Sequence, residues 1–189
     1  YDVVITDTTT GCSSASASGT VTVNALPTVI VNNPSVCTGT NATVIATPGD
    51  ASAYTYVWTV PAGVTNPGDV ASFTTNVAGN YSVVITNTTT GCSSVSAFGT
   101  VTINPLPTVT VNSSTVCVGA TVTMIATPGV AGTYTYAWTV PTGVTNPGDV
   151  STFTTTTTGS YSVVITDTTT GCSSTSAFGT VNNYAVPTV

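Results

Sequence analysis

The side chains able to carry chemistry in this 189-residue chain reduce to six Asp and five Cys beside neutral hydroxyls and phenols; Lys, Arg, His, Glu and Gln are absent. General acid–base catalysis draws on His, Glu, Asp, Lys, Tyr or Cys, and a nucleophilic Ser or Thr needs a base beside it. Here only Asp could act as a base at neutral pH. The chain repeats with a period of 80 residues, and across that period Asp2 becomes Ser82 and Ser162 while Asp7 becomes Asn87, so no carboxylate pair recurs. This points away from an enzyme. Asp69 and Asp149 do recur, in Asn66-Pro-Gly-Asp69 and Asn146-Pro-Gly-Asp149. Calcium takes six to eight oxygen ligands, and one Asp with one Asn per turn falls short. The same residues fit a type II turn, with Pro second and Gly third supplying positive φ. No metal or cofactor is implied.

The cysteines Cys12, Cys37, Cys92, Cys117 and Cys172 are separated by 25 or 55 residues, never as C-x-x-C and with no His. That spacing suits a disulfide framework of an oxidising, extracellular compartment better than zinc ligation; free buried thiols are the alternative. A net charge of −6 without one Lys or Arg excludes nucleic acid and anionic lipid, whose binding rests on cations neutralising phosphate. No apolar run approaches the roughly 18 residues of a spanning helix, so membrane insertion is not expected. No signal peptide is visible and the chain opens inside a repeat, which predicts an interior piece of a longer polypeptide.

The elements that must position these residues follow from the repeat. GNYSVVITNTTTGC (79–92) returns as GSYSVVITDTTTGC (159–172), and the chain opens on YDVVITDTTTGC. An ungapped repeat is an array of one unit. We expect a C-terminal hairpin over 1–26, full units over 27–106 and 107–186, and the start of another at 187–189. Tyr81, Val83 and Ile85 alternate with Ser82, Val84 and Thr86 at period two, the pattern of a half-buried strand. TTTG then turns the chain into a second strand, making a hairpin. Earlier strands are predicted at TVIVN and TVTVN, around Ala42, Val44 and Ala46, along Tyr54, Tyr56 and Trp58, and at Phe73. Trp58 and Trp138 in mid-strand, with Tyr81 and Tyr161, are expected to form a small β core; a sugar-stacking platform is the competing reading for the Trp pair. Pro27, Pro107 and Pro187 fall at one phase, and Pro stiffens short connectors.

With the strands placed, Cys37-Thr38-Gly39, Tyr56-Val57-Trp58, Gly79-Asn80-Tyr81 and Gly91-Cys92, repeated as Cys117-Val118-Gly119, Tyr136-Ala137-Trp138, Gly159-Ser160-Tyr161 and Gly171-Cys172, resemble the Ig-like and PKD-like repeats of giant Bacteroidota surface proteins. The resemblance implies an all-β fold of tandem antiparallel β-sandwiches arranged head to tail, with Gly-x-Tyr forming a tyrosine corner. It implies type IX secretion, a bacterial cell-surface location, and a stiff, disulfide-stabilised stalk within a long adhesin or filament. Copies of itself in a fibre are the implied partners, and a surface or glycan target would be met through domains elsewhere. A glycan- or protein-binding adhesive module is the alternative function. Thr8 and Thr168, in Asp-Thr motifs that Asn87 interrupts in the middle copy, are implied O-glycan acceptors.

The resemblance leaves two cysteine pairings open. If five traverses (B, C, C′, E and F) separate Cys37 from Cys92, they lie at opposite ends of one sandwich. Head-to-tail stacking then brings Cys37 to Cys172 across the junction. If 61–80 holds only one traverse, the pairs Cys37–Cys92 and Cys117–Cys172 within single units become reachable. The 3% of charged residues leaves sheet edges without Lys to deter pairing, so self-association is expected.

Overall fold

β-branched and aromatic residues at period two dictate strands along the whole chain, and the computed structural model, which describes residues 1–185, contains strands and turns and no helix. β1 (Asp2–Val3) and β2 (Ala17–Ser18) form an N-terminal hairpin. The first unit follows as β3 (Val29–Val31), β4 (Ser35–Cys37), β5 (Ala42–Pro48), β6 (Tyr54–Thr59), β7 (Ser72–Thr75), β8 (Gly79–Asn87) and β9 (Ala97–Asn104). The second repeats it as β10 (Val109–Val111), β11 (Ser114–Val116), β12 (Val122–Pro128), β13 (Tyr134–Thr139), β14 (Thr152–Thr155), β15 (Gly159–Asp167) and β16 (Ala177–Asn183). Pro187, expected to open a further unit, lies outside the described residues.

Each unit is a two-sheet sandwich. One sheet runs β3-β5-β7 and the other β4-β9-β8-β6, antiparallel except that β4 lies parallel to β9; β10-β12-β14 and β11-β16-β15-β13 repeat both. The first edge strand thus splits in two: β3 pairs with β5 in one sheet, and after Asn32–Pro34 the chain crosses to pair β4 with β9 in the other. This is the immunoglobulin-like order, with A, B and E facing A′, G, F and C.

The core lies between the sheets. Val44, Ala46, Trp58, Tyr81, Val83, Ile85 and Val101 close it in the first unit, and Met124, Ala126, Trp138, Tyr161, Val163, Ile165 and Val181 occupy the same places in the second. The Trp58 and Phe73 rings meet edge to face at 5.0 Å, and Phe73 leans on Tyr81 at 5.7 Å. Such pairs add stabilisation beyond the area they bury. The buried Tyr81 hydroxyl donates to the Val77 carbonyl at 2.9 Å and sits 3.0 Å from Thr75 Oγ1, so the polar end of the ring is satisfied where it is desolvated. Tyr161 does the same with Thr157 and Thr155.

One expectation changes. No C′ strand forms: residues 60–71 carry the chain back between β6 and β7 as irregular backbone. Pro61 and Pro67 withhold ladder donors. Side chains make the contacts to β6 instead. Asp69 Oδ1 accepts from Tyr56 N at 2.6 Å, Asn66 Nδ2 donates to the Trp58 carbonyl at 2.8 Å, and the Trp58 indole donates to the Val70 carbonyl at 2.8 Å. Gly68 supplies the turn's positive φ of 79°. The traverse count is therefore five, although one traverse is not a strand.

Candidate functional site

The feature that recurrence and cysteine chemistry converge on is the joint between the two units. Because β4 runs parallel to β9, its C-terminal residue Cys37 sits beside Asn104, at the end from which the chain leaves for the second unit. Thr38 N donates to the Asn104 carbonyl at 2.8 Å, fixing that corner. Five traverses later, the turn between β8 and β9 lies at the far end of the same unit. In the second unit the corresponding turn, between β15 and β16, faces back toward the first. There Cys172 is fully buried, and it is bonded to Cys37 with a Cα separation of 5.6 Å. A cleft of about 230 Å³ lies between residues 105–108 and Val130, Tyr134 and Asp167 of the second unit.

The turn that presents Cys172 is built by its own sequence. Asp167 Oδ1 accepts from Thr169 N and Thr170 N, the Asp167 carbonyl accepts from Gly171 N at 2.8 Å, and Gly171 takes a φ of 72°. Asn87 accepts in the same way in the middle copy, from Thr89 N and Thr90 N. Asp7 does so in the first, and its bonds from Thr9 and Thr10 hold its carboxyl below the ordinary range. The Thr-Thr-Thr-Gly run is thus a rigid presenter of the following Cys.

The other expected disulfide residues stand apart. Cys12, Cys92 and Cys117 carry free thiols, and neither Cys37–Cys92 nor Cys117–Cys172 forms, because the ends of one sandwich are too far apart. Thr8 and Thr168 are exposed beside their Asp residues; the Thr168 hydroxyl donates to the Thr133 carbonyl at 3.1 Å, tying the cysteine turn to the loop before β13. Trp58 and Trp138 are buried and offer no face to a sugar. Among the described residues no three of His, Cys, Asp and Glu gather as a metal group, and Asp69 and Asp149 are used as acceptors for Tyr56 N and Tyr136 N. No helix of the structure is long and apolar enough to cross a membrane.

Four structural residues escaped the sequence reading. Asn32 bridges β3 and β5, with Nδ2 on the Thr43 carbonyl at 2.9 Å and Oδ1 accepting from Ile45 N at 2.8 Å; Asn112 repeats this. Ser94 and Ser174 accept from Ile85 N and Ile165 N within the core. Their signal was recurrence of a small polar residue at a fixed phase.

No protein-family model matches the sequence, and neither does any curated protein. Solved structures with a similar path include immunoglobulin domains in series. An I-band fragment of titin is 12% identical with a TM-score of 0.49, over 85% of this chain and 66% of that one. Extracellular domains 3–5 of Drosophila OTK are 14% identical, TM-score 0.48, over 92% and 66%. Immunoglobulin domains 1–5 of Sidekick-1 are 14% identical, TM-score 0.42, over 97% and 46%. This chain spans 66% or less of each of those three. The assignment to tandem Ig-like sandwiches rests on the strand order itself.

Proposed function

We propose that the chain is a structural repeat segment of a long extracellular adhesin or filament, acting as a stiff, disulfide-stabilised stalk. The observation that carries this reading is the joint: two sandwiches with separate cores, linked by a Pro-bearing connector and by a covalent bond between Cys37 and Cys172. Two tethers at one joint resist bending where one connector would allow it. The motif resemblance around Tyr56, Trp58, Tyr81 and the cysteines supports a bacterial cell-surface location, with copies of the same unit as partners in a fibre. The residue inventory supports a non-catalytic role. Small-angle scattering on arrays of increasing unit number tests the reading: maximum dimension should grow linearly with the number of units, whereas growth with its square root would mean a flexible chain and would reject the stalk.

The adhesive-module reading has its own support. Phe98 and Phe178 are 69% and 66% exposed at the same place in both units, on the outer face of the four-stranded sheets. Glycan-array binding by the two-unit protein, lost in Phe98→Ser with Phe178→Ser, would favour that function over the stalk.

A further inference from the structure

We propose that every junction between successive 80-residue units carries one such staple, from the Cys ending the short parallel strand of one unit to the turn Cys of the unit that follows. Cys117 and the turn cysteines Cys92 and Cys12 are then open halves of further staples, and the partner of each is another copy of this unit. The inference deepens the stalk reading and takes from it only the head-to-tail order.

The half-sites are preformed whether bonded or not. At the strand-end half, Thr40 N donates to the Cys37 carbonyl at 3.0 Å and Ala120 N to the Cys117 carbonyl at 3.0 Å, with Gly39 and Gly119 at φ 89° and 83°. At the turn half, Cys172 N and Cys92 N each lie 3.3 Å from the Oγ1 of Thr170 and Thr90, and both sulfurs lie 3.9 Å from the Thr carbonyl oxygen. Gly171 and Gly91 match at φ 72° and 70°. Cys172 forms its bond from this backbone, so Cys92 and Cys12, on the same turn, need no rearrangement to do likewise.

Topology keeps Cys117 from pairing with Cys172 or Cys92 within the chain. Cys117 and Cys172 lie at opposite ends of the second sandwich, and Cys172 is already committed to Cys37. Cys92 and Cys117 point away from the shared joint, one at each outer end of the two-unit pair. The residue that would reach Cys117 is the turn Cys of a third unit, by the same 135-residue step that separates Cys37 from Cys172. Formation joins two thiols as one S–S bond and releases two protons and two electrons. A small-molecule disulfide such as oxidised glutathione accepts them and leaves as two thiols.

The test is this chain lengthened by one unit, with residues 107–186 repeated after residue 186, prepared with oxidised glutathione. Non-reducing peptide mapping should recover Cys117 bonded to the turn Cys of the added unit. Titratable thiols should again number three, as in the original chain, but now at Cys12, Cys92 and the strand-end Cys of the added unit. Five free thiols, or a bond between the two added cysteines, would overturn the proposal. If the lengthened chain fails to fold, the original one serves: concentrated with oxidised glutathione, its copies should link through Cys117 of one to Cys12 of the next. A dominance of Cys12–Cys12 or Cys92–Cys92 peptides would reject the scheme, and Cys117→Ser should remove the head-to-tail product. A flexible contour with intact staples would sink the stalk reading alone; unpaired added cysteines in a stiff array would sink this one alone.

Discussion

Tyr54 and its counterpart Tyr134 occupy one position in the repeat yet find different acceptors: Asp50 Oδ1 at 2.7 Å in the first unit and the Val130 carbonyl at 3.0 Å in the second. The change follows from Asp50 standing where the second unit has Val130. Asp50 raises the Tyr54 pKa above its ordinary 10.0, chiefly through that hydrogen bond. Ser52, and after it Tyr54, lower that of Asp50 below 3.8. A raised phenol pKa stabilises the fold below the unfolded value near 10 and loses that contribution as pH rises through the folded value. A lowered carboxyl pKa contributes above about 3.8 and is lost as pH falls through its folded value. The pair therefore supports the first unit between roughly pH 4 and pH 10. Absorbance titration should show Tyr54 ionising above the ordinary tyrosine range, and Asp50→Asn should bring it back down; a Tyr54 midpoint unmoved by that change would contradict the contact. At this scale the sequence was legible where recurrence met periodicity, as at Tyr81, Trp58 and the cysteines. It was opaque at Asn32, Asn66 and Asp69, whose side chains bond to backbone groups 11, 8 and 13 residues away, contacts that no local pattern encodes.

The long strands β5, β6, β8 and β9 were readable because one face of each is buried and the alternation records it. β4 was not: three residues paired in parallel with β9 owe their strand state to a partner 67 positions on. Its crossing from β3 depends on Gly99, where a Cβ would collide with the Asn32 carbonyl and the Val31 side chain. Gly179 stands in the same relation to Asn112 and Val111. Gly99→Ala should cost about 1–3 kcal/mol, the range for forcing extra atoms into a packed site, measured by urea unfolding. Gly19→Ala, where the added atom meets open space, is the control. Equal stability of the two variants would show that β3 and β4 do not press on β9. Among the sheet edges, β6 is not open. Asp69 and Asn66 occupy Tyr56 N and the Trp58 carbonyl, which masks the strand without a Lys. The remaining edges, β3, β4 and β7, run only three or four residues, so ladder-type self-pairing has little to build on.

At the scale of the molecule, the joint alters what tension can do. The Cys37–Cys172 bond closes a loop with a sequence separation of 135 residues, and almost both entire sandwiches lie inside it. Tension applied at the chain ends passes from β3 and β4 through the sulfurs into β16, leaving β5 to β15 off the covalent load path. Unfolding the enclosed segment then releases no length, because its two ends are bonded to each other. With the bond reduced, the same segment would extend by roughly 450 Å at about 3.4 Å per residue. The chain-entropy model gives the closure roughly 5 kcal/mol of stabilisation, reduced by whatever order the unfolded chain retains. The N-terminal hairpin lies outside the loop and without a core: Tyr1 is 90% exposed where Tyr81 is fully buried, and Val3 and Ile5 are bare as well. Single-molecule pulling should therefore show only short, low-force extensions under oxidising conditions. Addition of a thiol reductant, or Cys172→Ser, should add two unfolding steps that together approach the enclosed length. Such steps appearing while the disulfide is intact would mean that tension does not travel through the staple, and the mechanical reading of the joint would fail with it.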